Sequence, residues 1–475
     1  MTPKLKITIG IIALLVAVVS GVFWYRDFVK PEIPSDPILP FKIIEPEIPS
    51  EPVSPPEIFP EISASENQIV AVVDTSNQFA FDLYSEYKLK EGNIFFSPYS
   101  ISTALAITFE GARGQTADEM RTVFHFPKDE NARKLGYSGL LEKINAENEN
   151  YKLSTANALW AQENYKFLDE YLNSVEKYYS GGVTNLDFVN ETESSRITIN
   201  DWVEDQTNDK IKDLIPRGLI TPLTRLVLTN AIYFKGDWLK QFNEDETRDE
   251  NFRISSNETK KVPMMRRTDE EAKFNFTENE DLQILELPYS GEKLSMLILL
   301  PKNDDLEYLE NNLTLENLEK WKRDLREERV KVFIPKFKFE TKYLMAEDLK
   351  KMGMPTAFSM AADFSGMTEE RDLFISAVVH QAFVEVNEEG TEAAAATAVI
   401  MTFKSISIES KSIPIFRADH PFVFLIQEKE TGSILFLGRV SEPGGIYKMI
   451  SNKNRKLINK APVSLSSSQD RFLSP

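Results

Sequence analysis

The chain of 475 residues carries few side chains that could perform chemistry. It has no cysteine and only three histidines, His125, His380 and His420. The lack of cysteine excludes disulfides, thiolate nucleophiles and thiolate metal sites, and three scattered imidazoles do not predict a multi-histidine metal centre. No glycine-rich nucleotide loop, His-Glu-x-x-His zinc motif or Gly-x-Ser-x-Gly elbow occurs in the sequence. We therefore expect no cofactor and no metal, and these absences exclude much of enzyme chemistry.

His420 is the histidine whose setting best suits catalysis, because it directly follows Asp419 in Arg-Ala-Asp-His-Pro. A dispersed Ser-His-Asp triad is recognised by geometry, which a sequence does not show, so a hydrolase remains one hypothesis. We favour the interpretation that His420 is a surface histidine before a strand. His125, in Phe-His-Phe-Pro, is predicted to end a helix.

The charge balance excludes a second class of function. Fifty-five Lys and Arg residues face 74 Asp and Glu residues, a net charge of −19. Such a surface repels phosphate, so we expect no nucleic-acid partner, and a polyanionic cofactor is not predicted.

The most informative segment is Glu388–Ala398, Glu-Glu-Gly-Thr-Glu-Ala-Ala-Ala-Ala-Thr-Ala. Helix propensity alone predicts that the alanine run forms a short helix. The alternative is an extended strand, because small side chains share one parity of the segment while Glu392 falls on the other. Such a strand could slide between two others with its small side chains buried and Glu392 in solvent.

The elements around this segment are mixed. Helical periodicity occurs mostly in the first half of the domain, and strand-like runs occur mostly in the second. Helices early and strands late, without regular alternation, predict an α+β fold with largely antiparallel sheets. The predicted helices cover 70–87, 100–109, 116–123 and 194–207, and the predicted strands cover 294–300, 330–339, 382–386, 422–427 and 434–440.

Ordered motifs along the domain resemble those of the serpin family of serine protease inhibitors. Glu-Glu-Gly-Thr-Glu-Ala-Ala from Glu388 resembles the family's hinge, and Asp-His-Pro-Phe from Asp419 resembles its signature. The remaining matches are Asn-Ile-Phe-Phe-Ser-Pro-Tyr-Ser-Ile at 93–101, Leu-Thr-Asn-Ala-Ile-Tyr-Phe-Lys-Gly-Asp-Trp at 228–238, Val-Pro-Met-Met at 262–265 and Leu-Gly-Arg-Val at 437–440. The resemblance implies a prokaryotic-type inhibitory member with the serpin fold, that is, helices, mostly antiparallel sheets and a mobile reactive-centre loop.

The resemblance also implies a mechanism. In this family a serine protease cleaves the exposed loop, and the acyl-enzyme is trapped as the loop inserts into the main sheet. The protein would thus be a suicide substrate of a serine protease rather than a catalyst. The implied hinge residues are Glu388, Gly390, Thr391, Glu392, Ala393, Ala394, Ala395 and Ala396.

The reactive bond follows from the family's usual spacing. Seventeen residues counted from Glu388 place this bond at Lys404–Ser405. A lysine there would fill an acid-lined specificity pocket, so the implied target is trypsin-like. Cleavage after Phe403 or Lys411 is the alternative.

Two control regions are implied as well. The shutter, a polar cluster beneath the opening strands, corresponds to Ser97, Ser100, Asn230 and His380, for which a static buried network is the alternative. The breach, where insertion begins, corresponds to Lys336 and Glu388 with Trp238 packed nearby. A surface ion pair at the breach would contribute only about 0–1 kcal/mol.

The chain ends are predicted to lie outside the domain. Nineteen residues without charge, Ile7–Tyr25, are long enough to span a bilayer, so residues 1–27 are predicted to be an uncleaved signal anchor, with a cleaved signal peptide as the alternative. Both place the domain at the extracellular face, membrane-anchored or secreted. Residues 28–65 are a Pro-rich linker, 66–443 the serpin domain and 444–475 a disordered basic tail.

Three functions compete at this point. The first is an inhibitory serpin, a monomer that forms a covalent complex with its protease. The second is a non-inhibitory serpin that serves as a binding or structural protein, whose loop would be cleaved as an ordinary substrate. A bulky or charged side chain at Thr391 or Ala393 would favour that second function, and neither position carries one. The hydrolase is the third.

Overall fold

The computed structural model describes residues 63–145, 151–302, 305–391 and 412–444. These residues form nine α-helices and seventeen β-strands. The helices are α1 (Glu66–Tyr87), α2 (Pro98–Glu110), α3 (Gly114–Phe124), α4 (Glu130–Asn145), α5 (Asp169–Tyr179), α6 (Thr192–Gln206), α7 (Leu306–Asn311), α8 (Leu315–Arg323) and α9 (Ala346–Met352). The strands are β1 (Ile94–Phe96), β2 (Tyr151–Gln162), β3 (Val183–Leu186), β4 (Leu226–Asp237), β5 (Arg248–Ser255), β6 (Glu258–Arg267), β7 (Lys273–Glu278), β8 (Leu282–Pro288), β9 (Leu294–Pro301), β10 (Arg326–Arg329), β11 (Lys331–Pro335), β12 (Phe337–Leu344), β13 (Ile375–Val386), β14 (Gly390–Thr391), β15 (Ile415–Arg417), β16 (Phe422–Glu428) and β17 (Ile434–Val440).

The strands form three sheets. The main sheet has six strands in the order β12-β13-β14-β4-β2-β3. A seven-stranded sheet follows the order β1-β17-β16-β9-β8-β7-β10, and a four-stranded sheet follows β15-β11-β6-β5. Most neighbouring strands are antiparallel, while β13 pairs in parallel with β4, β2 with β3 and β11 with β15.

The main sheet is covered on both faces, and the period of two along its strands explains how. On β4, Leu226, Leu228 and Ile232 enter the large core that also contains the seven-stranded sheet and α1 to α5. The alternate residues Val227 and Ala231 enter a smaller core with α6. Because both parities are apolar, β4 is buried on both faces, as a central strand between two helical layers must be.

Helix α2 fixes the base of the main sheet. Ser97 is its N-cap and accepts a hydrogen bond from the Ser100 N–H through its hydroxyl oxygen (3.1 Å), and proline occupies the first helical position. Every residue of the helix except Glu110 is buried. The helix therefore lies within the core and presents its N-terminal serines to the sheet.

The α+β fold predicted from the sequence is confirmed. Helices α1, α2, α3 and α6 lie at the four predicted helical segments, and the predicted strands are present, with the one predicted at 330–339 divided at Lys336 into β11 and β12. Within the described part of the chain, no helix combines the length and the apolar character needed to cross a bilayer. The predicted anchor Ile7–Tyr25 lies outside the described residues.

Candidate functional site

The hinge of the reactive loop lies at the top of the main sheet. Strand β14 consists of Gly390 and Thr391 and fits between β13 and β4. Thr391 pairs with Val386 of β13 on one side and with Gly236 of β4 on the other. Below this point β13 and β4 pair directly with each other, from Phe383 and Tyr233 downwards. We call this direct pairing the seam, because a strand that followed β14 would have to part it.

The two residues of β14 are closely enclosed. A Cβ atom added to Gly390 would lie 2.1 Å from the Gly236 carbonyl oxygen, so only glycine fits this close approach to β4. Thr391 is 1% exposed, and its hydroxyl lies 2.7 Å from the Tyr289 hydroxyl. The Tyr289 ring stacks on Trp238, with ring centroids 4.6 Å apart. The hinge thus begins beside the stacked pair Tyr289 and Trp238.

The breach residues Lys336 and Glu388 form the expected pair, with 2.7 Å between Nζ and Oε2. The prediction of a surface ion pair is wrong for one partner, because the Glu388 side chain is only 4% exposed, whereas Lys336 is 38% exposed. The Thr247 hydroxyl donates a second hydrogen bond to Glu388 (2.7 Å). Burial raises the pKa of Glu388, but the hydrogen bonds from Lys336 and Thr247 outweigh it, so the net pKa lies below the usual value.

Hydrogen bonds join residues 387–390, which we call the hinge turn, to the segment that follows β4. The Trp238 N–H donates to the Glu389 carbonyl (2.7 Å), and the Trp238 ring N–H donates to the Asn387 carbonyl (3.0 Å). The Phe242 N–H donates to the Glu388 carbonyl (2.8 Å). Burial, followed by the charges of Glu244, Asp237 and Glu388, raises the pKa of Glu389. Trp238, predicted to pack near the breach, is therefore a direct hydrogen-bond partner of the hinge turn.

The four predicted shutter residues meet in one buried network across the seam. His380 on β13 and Asn230 on β4 are register partners, and the histidine Nδ1 contacts Asn230 Oδ1. Asn230 Nδ2 donates to the Ser100 hydroxyl (2.7 Å), and Ser97, the α2 N-cap, donates its N–H to His380 Nε2 (3.2 Å). The network therefore joins α2 to the two strands that would separate.

The hydrogen bonds define the state of His380. Because Nε2 accepts from the Ser97 amide, the ring proton lies on Nδ1 and is donated to Asn230. The imidazole is fully buried, and this burial lowers its pKa to about 3. His380 is thus neutral over the physiological pH range, and its protonation would remove the acceptor that Ser97 uses.

Three residues of the site were missed by the sequence analysis. Asn157 on β2 pairs in register with Asn230, accepts from the Ser100 hydroxyl (2.9 Å) and extends the network to a third strand. Thr247 and Tyr289 contact the hinge. Asn157 had a detectable signal, since it is an amide flanked by alanines within a strand. Thr247 and Tyr289 had none, because only the fold brings them to the hinge.

The remaining predicted residues are placed as follows. His125 ends α3 with φ of 55°, as predicted, and its Nε2 lies 2.7 Å from an Asp82 oxygen. The prediction that His420 is a surface residue is wrong: it is 9% exposed, because the pairing of β16 with β9 brings its Nε2 to 2.8 Å from the Pro301 carbonyl at the end of β9. Glu392, Ala393 to Ala396, Lys404 and Ser405 lie outside the described residues. Among the described residues, no group of histidines and carboxylates is arranged to hold a metal ion.

Comparison with known proteins agrees with this geometry. The family model described as Serpin (serine protease inhibitor) matches residues 74–443. An uncharacterized serpin-like protein of Thermococcus kodakarensis is 48% identical over 80% of this chain and 87% of its own length. The leukocyte elastase inhibitor of Bos taurus is 45% identical over 78% of this chain and 98% of its own length. The crystal structure of human thyroxine-binding globulin complexed with its hormone, 33% identical, superposes with a TM-score of 0.72 over 80% of this chain and 100% of that one.

These matches cover most of this chain and 87% or more of the length of each relative. The chain therefore belongs to the serpin family, and it has the serpin fold.

Proposed function

We propose that this protein inhibits a trypsin-like serine protease as a suicide substrate and is not itself an enzyme. The observation that carries the proposal is β14, because two hinge residues already occupy the top of the main sheet directly above the seam. The leukocyte elastase inhibitor, whose name states inhibition of a protease, is a relative that matches this chain over 98% of its own length. Inhibition is accordingly the function that the hinge geometry best supports.

The register of β14 fixes where an inserted loop would lie. Gly390 pairs with Asp237 and Thr391 with Gly236 in the antiparallel sense. Continuing this register would bring Glu392 opposite Lys235 and Met401 opposite Leu226, the first residue of β4. Insertion as far as Met401 would thus pair the loop with β4 over its whole length.

The side chains of the loop fit both faces of this register. Directly opposed residues share a face, so alternate loop residues would face the large core together with Leu226, Leu228 and Ile232. The charged Glu392 would fall on the other face, beside Lys235. The residues that would face the large core are all small or apolar, namely Thr391, Ala393, Ala395, Thr397, Val399 and Met401.

The same register supports Lys404 as the residue before the reactive bond. Lys404 follows Met401 by three residues, so full insertion would carry it just beyond the end of β4. The strand from Thr391 to Lys404 would be about 43 Å long, at about 3.3 Å per residue. Lys411 would leave ten residues beyond β4, which argues against cleavage there.

In the mechanism we propose, the protease catalyses the cleavage of the loop. The protease serine attacks the Lys404 carbonyl, the bond to Ser405 breaks and its nitrogen leaves as an amine, and Lys404 stays esterified to the protease. Insertion then drags the acyl-enzyme along the sheet and distorts its oxyanion hole, whose donors must hold tight geometry for deacylation. This chain supplies the bait, the small hinge residues and the seam.

We further propose that the protein acts outside the cytoplasm as a monomer. The support is the uncharged segment Ile7–Tyr25, followed by a Pro-rich stretch whose extended conformation would hold the domain away from a bilayer. Its partners would then be the membrane, through this segment, and an extracellular protease.

The test is incubation of the full-length chain with trypsin, followed by denaturing gel and mass spectrometry. We expect an equimolar complex that survives SDS and a released C-terminal peptide that begins at Ser405. Complete cleavage without a complex or a rise in thermal stability would contradict inhibition. It would favour a non-inhibitory binding protein, the function stated in the name of thyroxine-binding globulin.

A further inference from the structure

A basic cleft lies beside the point where the chain returns from the reactive loop to the four-stranded sheet. Its volume is about 660 Å³, and it forms where β5, β6 and β11 meet the end of β10. Four cationic side chains and two apolar ones line most of it: Arg248, Arg266, Arg329, Lys331, Phe333 and Ile413. We call this feature the basic cleft.

Three of its four cations lack an acidic partner among the described residues. Arg266 shares the Glu250 carboxylate with Arg417. In contrast, Arg248 and Arg329 donate only to backbone carbonyls, and no hydrogen bond or ion pair of the Lys331 side chain occurs in the described structure. Glu246 is the one acidic residue in the described lining. In a chain of net charge −19 this is a local excess of positive charge.

The arginines of the cleft are held in place and have donors to spare. Arg266 and Arg417 flank Phe333 in register across three strands, and the Arg417 guanidinium lies 3.8 Å from the Phe333 ring centroid. The Nε atoms of Arg266 and Arg329 are buried and donate to no acceptor among the described residues. Arg266 lies over the Phe333 ring at 5.9 Å from its centroid, and planar guanidinium groups suit carboxylate ligands.

The position of the cleft links it to the loop. The Lys331 N–H donates to the Pro414 carbonyl (2.9 Å), next to Ile413 in the cleft wall. Ile413 follows Lys404 by nine residues, a reach of at most about 30 Å. A protease domain of about 230 residues has a radius of gyration of about 17 Å. A protease docked on Lys404 would therefore extend over the cleft.

We propose that the basic cleft is an exosite, a second contact surface, for acidic side chains of the target protease on the C-terminal side of the reactive bond. This inference rests on the proposed inhibitory function. Phe333 and Ile413 give the cleft apolar walls that suit a peptide. The overall charge of −19 repels a long polyanion, whereas a few local carboxylates are repelled less. Such a site raises the association rate and sets partner choice.

The first experiment measures the association rate constant of the full-length chain with anionic and cationic trypsins, which share specificity and differ in surface charge. The double variant Arg329→Gln, Lys331→Gln is expected to inhibit anionic trypsin about tenfold more slowly at low salt, with a weaker dependence on NaCl. The loss against cationic trypsin is expected to stay below about twofold. The control Arg217→Gln, Lys351→Gln removes equal charge from other exposed sites and should retain the wild-type rates. Equal losses against both trypsins would overturn the exosite.

The second experiment needs no inhibition, so it separates the exosite from the proposed function. Binding of a fluorescein-labelled hexaglutamate peptide to the free chain is measured, with hexaglutamine as the control peptide. Binding that the double variant loses, at an unchanged melting temperature, supports the exosite even if no SDS-stable complex forms. Equal binding by wild type and variant, or displacement of the peptide by a heparin oligosaccharide that binds more tightly, overturns it.

Discussion

At the scale of single residues, the site depends on residues that other amino acids cannot replace, because of their size or their protonation state. Gly390 is one, because a Cβ would collide with the β4 backbone rather than with a movable side chain. His380 is another, because one ring nitrogen contacts Asn230 across the seam and the other accepts from Ser97 at the start of α2. Both positions make predictions that a single substitution or a pH series tests.

Replacing Gly390 with alanine is expected to push the hinge out of the sheet. The clash with the Gly236 carbonyl should cost about 1–3 kcal/mol, as overpacking does, and should delay insertion. The fraction of protein cleaved without forming a complex should therefore rise, measured as the inhibitor:protease ratio needed for full inhibition. Gly182→Ala is the matched control, since its Cβ meets nothing within 4 Å. Equal ratios for the two variants would contradict the steric role of Gly390.

Acid is expected to weaken the closed sheet through His380. The pKa is about 3 in the folded state and about 6.5 when unfolded, so the unfolded chain binds the proton more readily as pH falls. The contribution of neutral His380 is complete above pH 6.5, declines as pH falls from 6.5 to about 3, and declines no further below that. Between pH 6.5 and 5 the loss is about 2 kcal/mol.

The measurement for His380 is the free energy of unfolding in urea over this pH range, for wild type and His380→Gln. The variant lacks the titrating ring and should show a shallower pH dependence. Parallel curves would contradict a buried, neutral imidazole.

At the scale of elements, two sets of contacts hold the seam closed: the shutter network below and the hinge turn above. The shutter extends over β13, β4 and β2 and is anchored at the N-terminus of α2. The hinge turn is held by a buried carboxylate and by the segment after β4. Because the two sets contact different parts of β4, we expect that a substitution can weaken one set without the other.

Removal of the breach cation is expected to loosen the upper set. Lys336→Met would leave the Glu388 carboxylate buried with Thr247 as its remaining side-chain partner, at a cost of about 1–3 kcal/mol. A glutamate-specific protease should then cut the hinge turn faster. Lys338→Met is the control, because Lys338 pairs with Glu385 in a more exposed setting, and it should change stability by less than about 1 kcal/mol. Equal effects of the two variants would contradict a special role of the Lys336–Glu388 pair.

At the scale of the whole molecule, the native form leaves pairing unused. The β4–β13 seam is one parallel ladder, and an inserted strand would replace it with two antiparallel ladders. If the loop inserts as proposed, the native form would be a kinetically trapped state above a more stable inserted one. Buried clusters cover both faces of the main sheet, and we expect them to stay formed if the seam parts.

Cleavage of the loop is expected to stabilise the molecule. About ten added backbone hydrogen bonds, each contributing about 1 kcal/mol, give roughly 10 kcal/mol. The melting temperature of the trypsin-cleaved chain should accordingly rise by more than about 10 °C, as measured by circular dichroism. An unchanged melting temperature after cleavage would show that the loop stays outside the sheet.

The sequence by itself determined the fold class, and its motifs supplied the candidate site residues. Periodicity located α1, α2 and the strands β16 and β17, because the period of apolar residues follows directly from backbone geometry. The motifs that resemble the serpin family assigned Gly390, Lys336 and His380 to the hinge, breach and shutter, and the structure places them in β14, in the ion pair with Glu388 and in the buried network.

Tertiary structure decided the rest, since burial and proximity arise from elements far apart in the chain. Only the fold shows that Glu388 is buried beside Thr247, that Asn157 extends the shutter network and that His420 contacts the end of β9. The register of β14 on β4 and the gathering of Arg248, Arg329 and Lys331 from three strands likewise have no local signal. Each depends on which strands become neighbours, and strand neighbours are chosen by packing of the whole core.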